Sequence, residues 1–83
     1  MYLSSIRSVD LHGMDRITAR ITVDEFITDL IRLKEIKGVI IHGIGQGIVK
    51  DEVYKCLRKN KNVINFKLNV PNIGSTTVDL KID

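Results

Sequence analysis

Residues 39–47 read VIIHGIGQG. Three consecutive β-branched residues describe a strand that is apolar on both faces, as in a strand covered or flanked by neighbours. His42 follows, and then glycines at 43, 45 and 47 alternate with other residues ahead of a charged segment with helical patterning. A strand that runs through a glycine-rich turn into a helix presents backbone N–H groups and the positive end of the helix dipole to an anion. Alternate glycines also remove the Cβ atoms that would hold a phosphate away from the backbone. The spacing is neither the G-x-G-x-x-G of a dinucleotide site nor a nucleotide-binding loop ending in G-K-[ST]. On these residues alone, a sterically demanding turn explains the stretch as well as an anion site does.

The rest of the chain supplies the elements around this turn. In IRSVDLH, residues 6–12, alternation places Val9 and Leu11 on one face of a strand and Asp10 and His12 on the other. Asp15 is placed to cap a helix predicted from Arg16 to about Ile36, with Met14 and Ala19 spaced as a hydrophobic staple. Ala19, Val23, Phe26, Ile27, Leu30 and Leu33 form its apolar stripe, and Gly38 is the expected terminator. Residues 16–24, RITARITVD, also alternate and are rich in β-branched residues, so pattern alone leaves a strand open there. After the glycines, Val49, Val53, Cys56 and Leu57 make a second helical stripe. VINFKLNV then sets Ile64, Phe66, Leu68 and Val70 on one strand face. PNIGS turns the chain, and TTVDLKI sets Thr76, Val78, Leu80 and Ile82 on another. The predicted fold is an α/β two-layer sandwich in the order β-α-β-α-β-β, with two helices on one face of a four-stranded mixed sheet. Right-handed crossover makes its first two strands parallel neighbours.

A chain of 83 residues is expected to be a single domain, with its core between about residues 6 and 82. One cysteine, Cys56, forms no internal disulfide and packs like a small hydrophobe, so a reducing cytoplasm is the expected compartment. No apolar run approaches the ~20 residues of a membrane span, and no membrane partner is expected. The net charge of +3 is unevenly spread: Lys50, Lys55, Arg58, Lys59, Lys61 and Lys67 face only Asp51 and Glu52 between residues 50 and 67. Such a stripe suits a nucleic-acid backbone, although a solvated helix face carries the same composition. The aromatic residues Tyr2, Phe26, Tyr54 and Phe66 are too dispersed for a base-stacking platform.

Two histidines end predicted strands and precede glycines: His12 in DLHG and His42 in IHG. Ligands of open α/β sheets gather beyond the carboxyl ends of the strands. Neighbouring first and second strands therefore bring His12, His42 and the loop from Gly43 to Gly47 to one rim. Asp10 lies two residues before His12 on the same strand face. A carboxylate and a histidine beside a bound phosphodiester suit general acid–base work. A divalent metal ion held by Asp10, His12 and His42 is the alternative use, though the spacing matches no standard zinc site.

VDLHG, VIIHGIGQG at this separation, the helix that follows and the terminal strand pair together resemble the Smr (small MutS-related) domain from about Ser8 to Lys81. That domain occurs at the C-terminus of a bacterial MutS paralogue and in stand-alone or fused proteins. The resemblance implies a helix over residues 16–24 and a sandwich similar to the C-terminal domain of translation initiation factor three. It implies an endonuclease that nicks DNA or cleaves RNA, in DNA repair and recombination control or on ribosomes, with membership of a larger MutS-related chain. Asp10, His12 and His42 match its catalytic positions. Gly43, Gly45 and Gly47 match, with His42, its second motif, and together with Lys50, Lys55 and Arg58 of the basic stripe they are the expected phosphate-binding residues. The sequence departs from the family pattern at Val49-Lys50, where Leu-Arg is usual, and at NIGST, where Gly74 stands alone in a glycine-rich turn. Lysine keeps the charge of arginine but not its two-pronged geometry. A non-catalytic module gripping nucleic acid or ribosomal RNA is the competing function.

Overall fold

A computed structural model describes residues 6–82; Tyr2 lies outside them. The elements follow the expected order: β1 (Arg7–Asp10), α1 (Arg16–Arg32), β2 (Lys37–Ile41), α2 (Ile48–Lys59), β3 (Val63–Leu68) and β4 (Ser75–Leu80). The four strands form one sheet in the order β1-β2-β4-β3. β1 pairs parallel with β2, while β4 runs antiparallel to both β2 and β3. Leu11, Ile40, Val78 and Leu80 from the sheet side join Val23, Ile27 and Leu30 of α1 and Val53 and Leu57 of α2 in one buried core. Both helices therefore cover the same face.

Residues 16–24 are helical. Their apparent alternation comes from Ile17 and Ile21, which are exposed one turn apart on the outer side of α1, while Ala19 and Val23 face inward. Asp15 caps the helix as expected, its carboxylate accepting the Thr18 N–H at 2.7 Å. The helix stops at Arg32, short of Ile36, and Leu33 is exposed. Lys34 takes a left-handed conformation with φ 59. Its N–H reaches Ile31 O and the Glu35 N–H reaches Leu30 O, closing the last turn in the manner usually assigned to glycine.

Gly38 has a different role from the expected terminator. It lies within β2, where an added Cβ would come 2.6 Å from Leu30 Cδ1 and 3.0 Å from the Phe26 ring. The missing side chain lets α1 sit directly on the strand. β3 also departs from simple alternation. A register shift between Val63 and Asn65 puts Val63 opposite Leu80 and against the core, and leaves Ile64 67% exposed. The strand ends at Leu68, so Val70 is an exposed turn residue. Cys56 packs, half-buried, against the core, and burial raises its thiol pKa.

Candidate functional site

Parallel pairing ends β1 and β2 side by side, so their carboxyl ends share one rim. The Leu11 N–H donates to Ile41 O at 2.7 Å, which carries the pairing one residue past β1 and sets His12 against Gly43. A Cβ on Gly43 would lie 3.1 Å from His12 Cβ, and its φ of +85 is in the left-handed region. Glycine at 43 thus serves both the turn and the close approach of the two strand ends.

Asp10 and His12 form a tight pair. The Asp10 Oδ1–His12 Nδ1 distance is 2.6 Å, and the same oxygen accepts the His12 backbone N–H at 3.1 Å. A carboxylate only accepts, so Nδ1 carries the proton and Nε2 is left for another partner. Both side chains are exposed. The hydrogen bond from His12 holds the Asp10 carboxyl below its ordinary pKa, and the hydrogen bond to Asp10 raises that of His12 above the usual histidine value.

His12 borders an open groove of about 660 Å³ whose walls include Arg16, His42, the loop from Gly43 to Gly47, and Lys50. The groove lies between the first turns of both helices. At the start of α1 the Asp15 side chain takes the Thr18 amide, whereas α2 begins at Gly47, with φ +82 and no side chain to cap it. The N-terminal amides of α2 are thus the ones left for a ligand. A Cβ built at Gly45 or Gly47, which both line the groove, meets no neighbouring atom within 4 Å. Lys50 Nζ stands 5.7 Å from the Tyr54 ring centroid, a cation–π distance.

His42 is in the groove wall but differs from His12: it is 4% exposed. Its Nδ1 lies 2.9 Å from Gly43 O and its Nε2 2.9 Å from the buried Thr76 hydroxyl. Tyr54 OH lies 3.0 Å from that hydroxyl, and its ring stands edge-on to His42 on one side and Phe66 on the other. Gly74 O accepts the N–H groups of both His42 and Gly43, at 3.0 and 2.9 Å. The turn between β3 and β4 therefore clasps the glycine loop from behind.

The structure gathers His12, His42, Gly43, Gly45, Gly47 and Lys50 around one groove, with Asp10 behind His12. Two expected basic contacts lie elsewhere. Lys55 belongs to a separate hollow with Arg20, Asp24 and Glu52, and Arg58 is exposed in the last turn of α2. The three-residue metal site also fails to assemble: both ring nitrogens of His42 are engaged, and no three His, Cys, Asp or Glu side chains come together as a metal ligand set among the described residues. Arg16 joins the groove without having been expected there. Its guanidinium is 4.0 Å from the buried Glu52 carboxylate, linking the start of α1 to α2. Arg16 had a local signal, the position directly after a helix cap, and Gly74 had one in the NIGST turn; Thr76 and Tyr54 had none, because only tertiary folding brings them to His42.

The Smr domain model matches residues 9–81, which takes in both histidine motifs and all six elements apart from the first residues of β1. The chain belongs to the Smr domain family. It is 38% identical over 78 residues to the Endonuclease MutS2 of Thermotoga neapolitana and 41% identical over 76 residues to that of Thermotoga maritima. These alignments cover 93% and 90% of this chain but only 10% of each relative. The crystal structure of the Smr domain of Thermus thermophilus MutS2 superimposes with a TM-score of 0.88 at 28% identity, covering 92% of this chain and 99% of that one. YdaL, a stand-alone small MutS-related protein from Escherichia coli, shares the fold with a TM-score of 0.85 at 24% identity, over 89% of this chain and 63% of its own. No helix among the described residues is long and apolar enough to cross a membrane.

Proposed function

We propose that this Smr domain is an endonuclease module for DNA or RNA, with His12 as the proton donor to the leaving oxygen of a phosphodiester. The observation that carries the reading is the 2.6 Å Asp10–His12 pair at the edge of a groove formed by two helix starts. Phosphate binding by itself has no use for a carboxylate at the rim, since it repels a polyanion. A carboxylate that holds an imidazole by Nδ1 and raises its pKa is useful for keeping a proton on Nε2.

In this reading the scissile phosphate rests on the loop from Gly43 to Gly47 and the uncapped start of α2, and Lys50 and Arg16 offset its charge. A water, or the adjacent 2′-hydroxyl in RNA, forms the new P–O bond and releases its proton to solvent in the open groove while the bond to the leaving oxygen breaks. That oxygen takes the proton from His12 Nε2, and Asp10 stabilises the imidazolium beforehand. His42 stays outside the proton transfer because both its nitrogens are occupied. Its place is in the wall that shapes the loop. The relatives named Endonuclease MutS2 support the same class of reaction, and their greater length makes membership of a larger MutS-related chain part of the proposal.

The test is incubation of the domain with supercoiled plasmid and with RNA, each with and without chelator, beside His12→Ala. Cleavage by the wild type and its loss in the variant is the expected result. Tight binding of either polymer with no cleavage under any condition would instead support the binding module that grips nucleic acid or ribosomal RNA.

A further inference from the structure

The buried contacts of His42 have a direction. Gly43 O can only accept, so His42 Nδ1 carries the proton between them. In the singly protonated ring Nε2 keeps a lone pair that accepts from the Thr76 hydroxyl, whose oxygen in turn accepts from Tyr54 OH. The result is a one-way chain, Tyr54 to Thr76 to His42 to Gly43 O, that ends on a carbonyl of the glycine loop. In a trans peptide the carbonyl and the following N–H point in opposite directions. Holding Gly43 O against the buried imidazole therefore turns the next amide, that of Ile44, away from the ring. Ile44 is 67% exposed and lines the groove.

We propose that Tyr54, Thr76 and His42 are positioning residues that fix the Gly43–Ile44 peptide so that the Ile44 N–H serves as a phosphate-oxygen donor in the groove. The inference rests on the reading of the groove as a phosphodiester site and adds a donor and its support to that reading. Thr76 is the central member: it is fully buried, its hydroxyl touches both neighbours, and no buried side-chain polar atom among the described residues lacks a partner. Removing that hydroxyl leaves the His42 Nε2 lone pair buried and unsatisfied, a condition relieved by rotation of the ring and release of Gly43 O. Tyr54 has a second link to the site through Lys50, which lies over its ring.

The experiment compares wild type, Thr76→Ser, Thr76→Val and Tyr54→Phe by NMR and by binding of a short fluorescent oligonucleotide. In wild type, ring ¹⁵N shifts should place the His42 proton on Nδ1, and the Ile44 amide should move on titration with inorganic phosphate. Thr76→Ser should keep both signatures and bind within about twofold of wild type, because the hydroxyl is retained. Thr76→Val should lose the Ile44 response and about tenfold in affinity, the scale of one net hydrogen bond. Tyr54→Phe keeps the test decisive if Thr76→Val does not fold, and should shift affinity and the Ile44 amide in the same direction by less. A His42 proton on Nε2 in wild type, an Ile44 amide insensitive to phosphate, or unchanged affinity in Tyr54→Phe and Thr76→Val would each overturn the proposal. The tautomer and the phosphate response need no cleavage. A wild type with both signatures and no nuclease activity therefore supports the positioning chain while removing the nuclease reading.

Discussion

Gly43 and Gly47 have nearly the same backbone, with φ +85 and φ +82, but opposite surroundings, and alanine at each should fail in a different way. The left-handed conformation costs a residue with a Cβ about 1–2 kcal/mol, so both variants should lose roughly that much stability on conformational grounds. For a domain of this size, 1 kcal/mol is worth roughly 4–8 °C in Tm. At Gly43 the new methyl would also stand 3.1 Å from His12 Cβ, and the histidine must retreat by a few tenths of an ångström. Such a shift is transmitted along the ring to Nε2, and misplacement approaching 1 Å costs on the order of 10²-fold in rate. At Gly47 the methyl meets no protein atom within 4 Å and instead enters the space assigned to the phosphate. Gly43→Ala should therefore keep most of its affinity and lose cleavage per bound complex, while Gly47→Ala should lose affinity and cut normally once saturated. Urea unfolding, oligonucleotide binding and single-turnover cleavage on one substrate separate the three effects. If both variants lost affinity and rate in the same proportion, the division between a His12 contact and a phosphate contact would be refuted.

Asp10→Ala removes the hydrogen bond that contributes most to the raised pKa of His12, so the imidazolium should deprotonate at lower pH; an NMR titration of His12 should record the fall, and the alkaline limb of cleavage should move down with it. Gly38→Ala puts a methyl 2.6 Å from Leu30 Cδ1 in the packed seam between α1 and β2, and should cost about 1–3 kcal/mol in urea unfolding with no direct effect on the groove. Oligonucleotide affinity should fall with salt at a log–log slope of about −0.7 to −0.9 for each phosphate neutralised, and Lys50→Ala should flatten that slope by roughly one phosphate's share while Lys55→Ala leaves it unchanged.

The parts of this molecule that depend on neighbours in sequence were legible there. Alternation in β1 separated Leu11 from Asp10 and His12, a carboxylate at 15 capped α1, and the crossover rule made β1 and β2 parallel, which together put His12 and the glycine loop on one rim. What went astray depended on contacts made at a distance. Gly38 carries the local signature of a helix end, yet its lack of a side chain is used by Leu30 and Phe26 packing from above, and Lys34 ends the helix instead. Ile64 follows strand periodicity, but the shift in register opposite β4 turns it to solvent and gives its place to Val63. Lys55 shares a helix with Lys50 but lines a different hollow, and Arg58 lies in the last turn away from the groove, so the basic stripe in sequence does not gather at one site. His42 is the most instructive case. Its motif matches that of His12, yet it is buried with Nε2 against Thr76, 34 residues later, while His12 is exposed.

The role of His12 is tested most directly by the single-turnover cleavage rate, measured with saturating protein from acid to alkaline pH for wild type and His12→Ala. Saturation removes differences in affinity, leaving the steps that follow binding. The pair with Asp10 raises the His12 pKa, so the protonated donor is present below that value and lost above it. The wild-type rate should therefore fall as pH rises through a midpoint above the ordinary histidine value, and His12→Ala should run about 10²-fold or more slower with that limb absent. A variant that cuts at the wild-type rate when saturated, or a wild-type rate that climbs through the same midpoint, would contradict His12 as the proton donor.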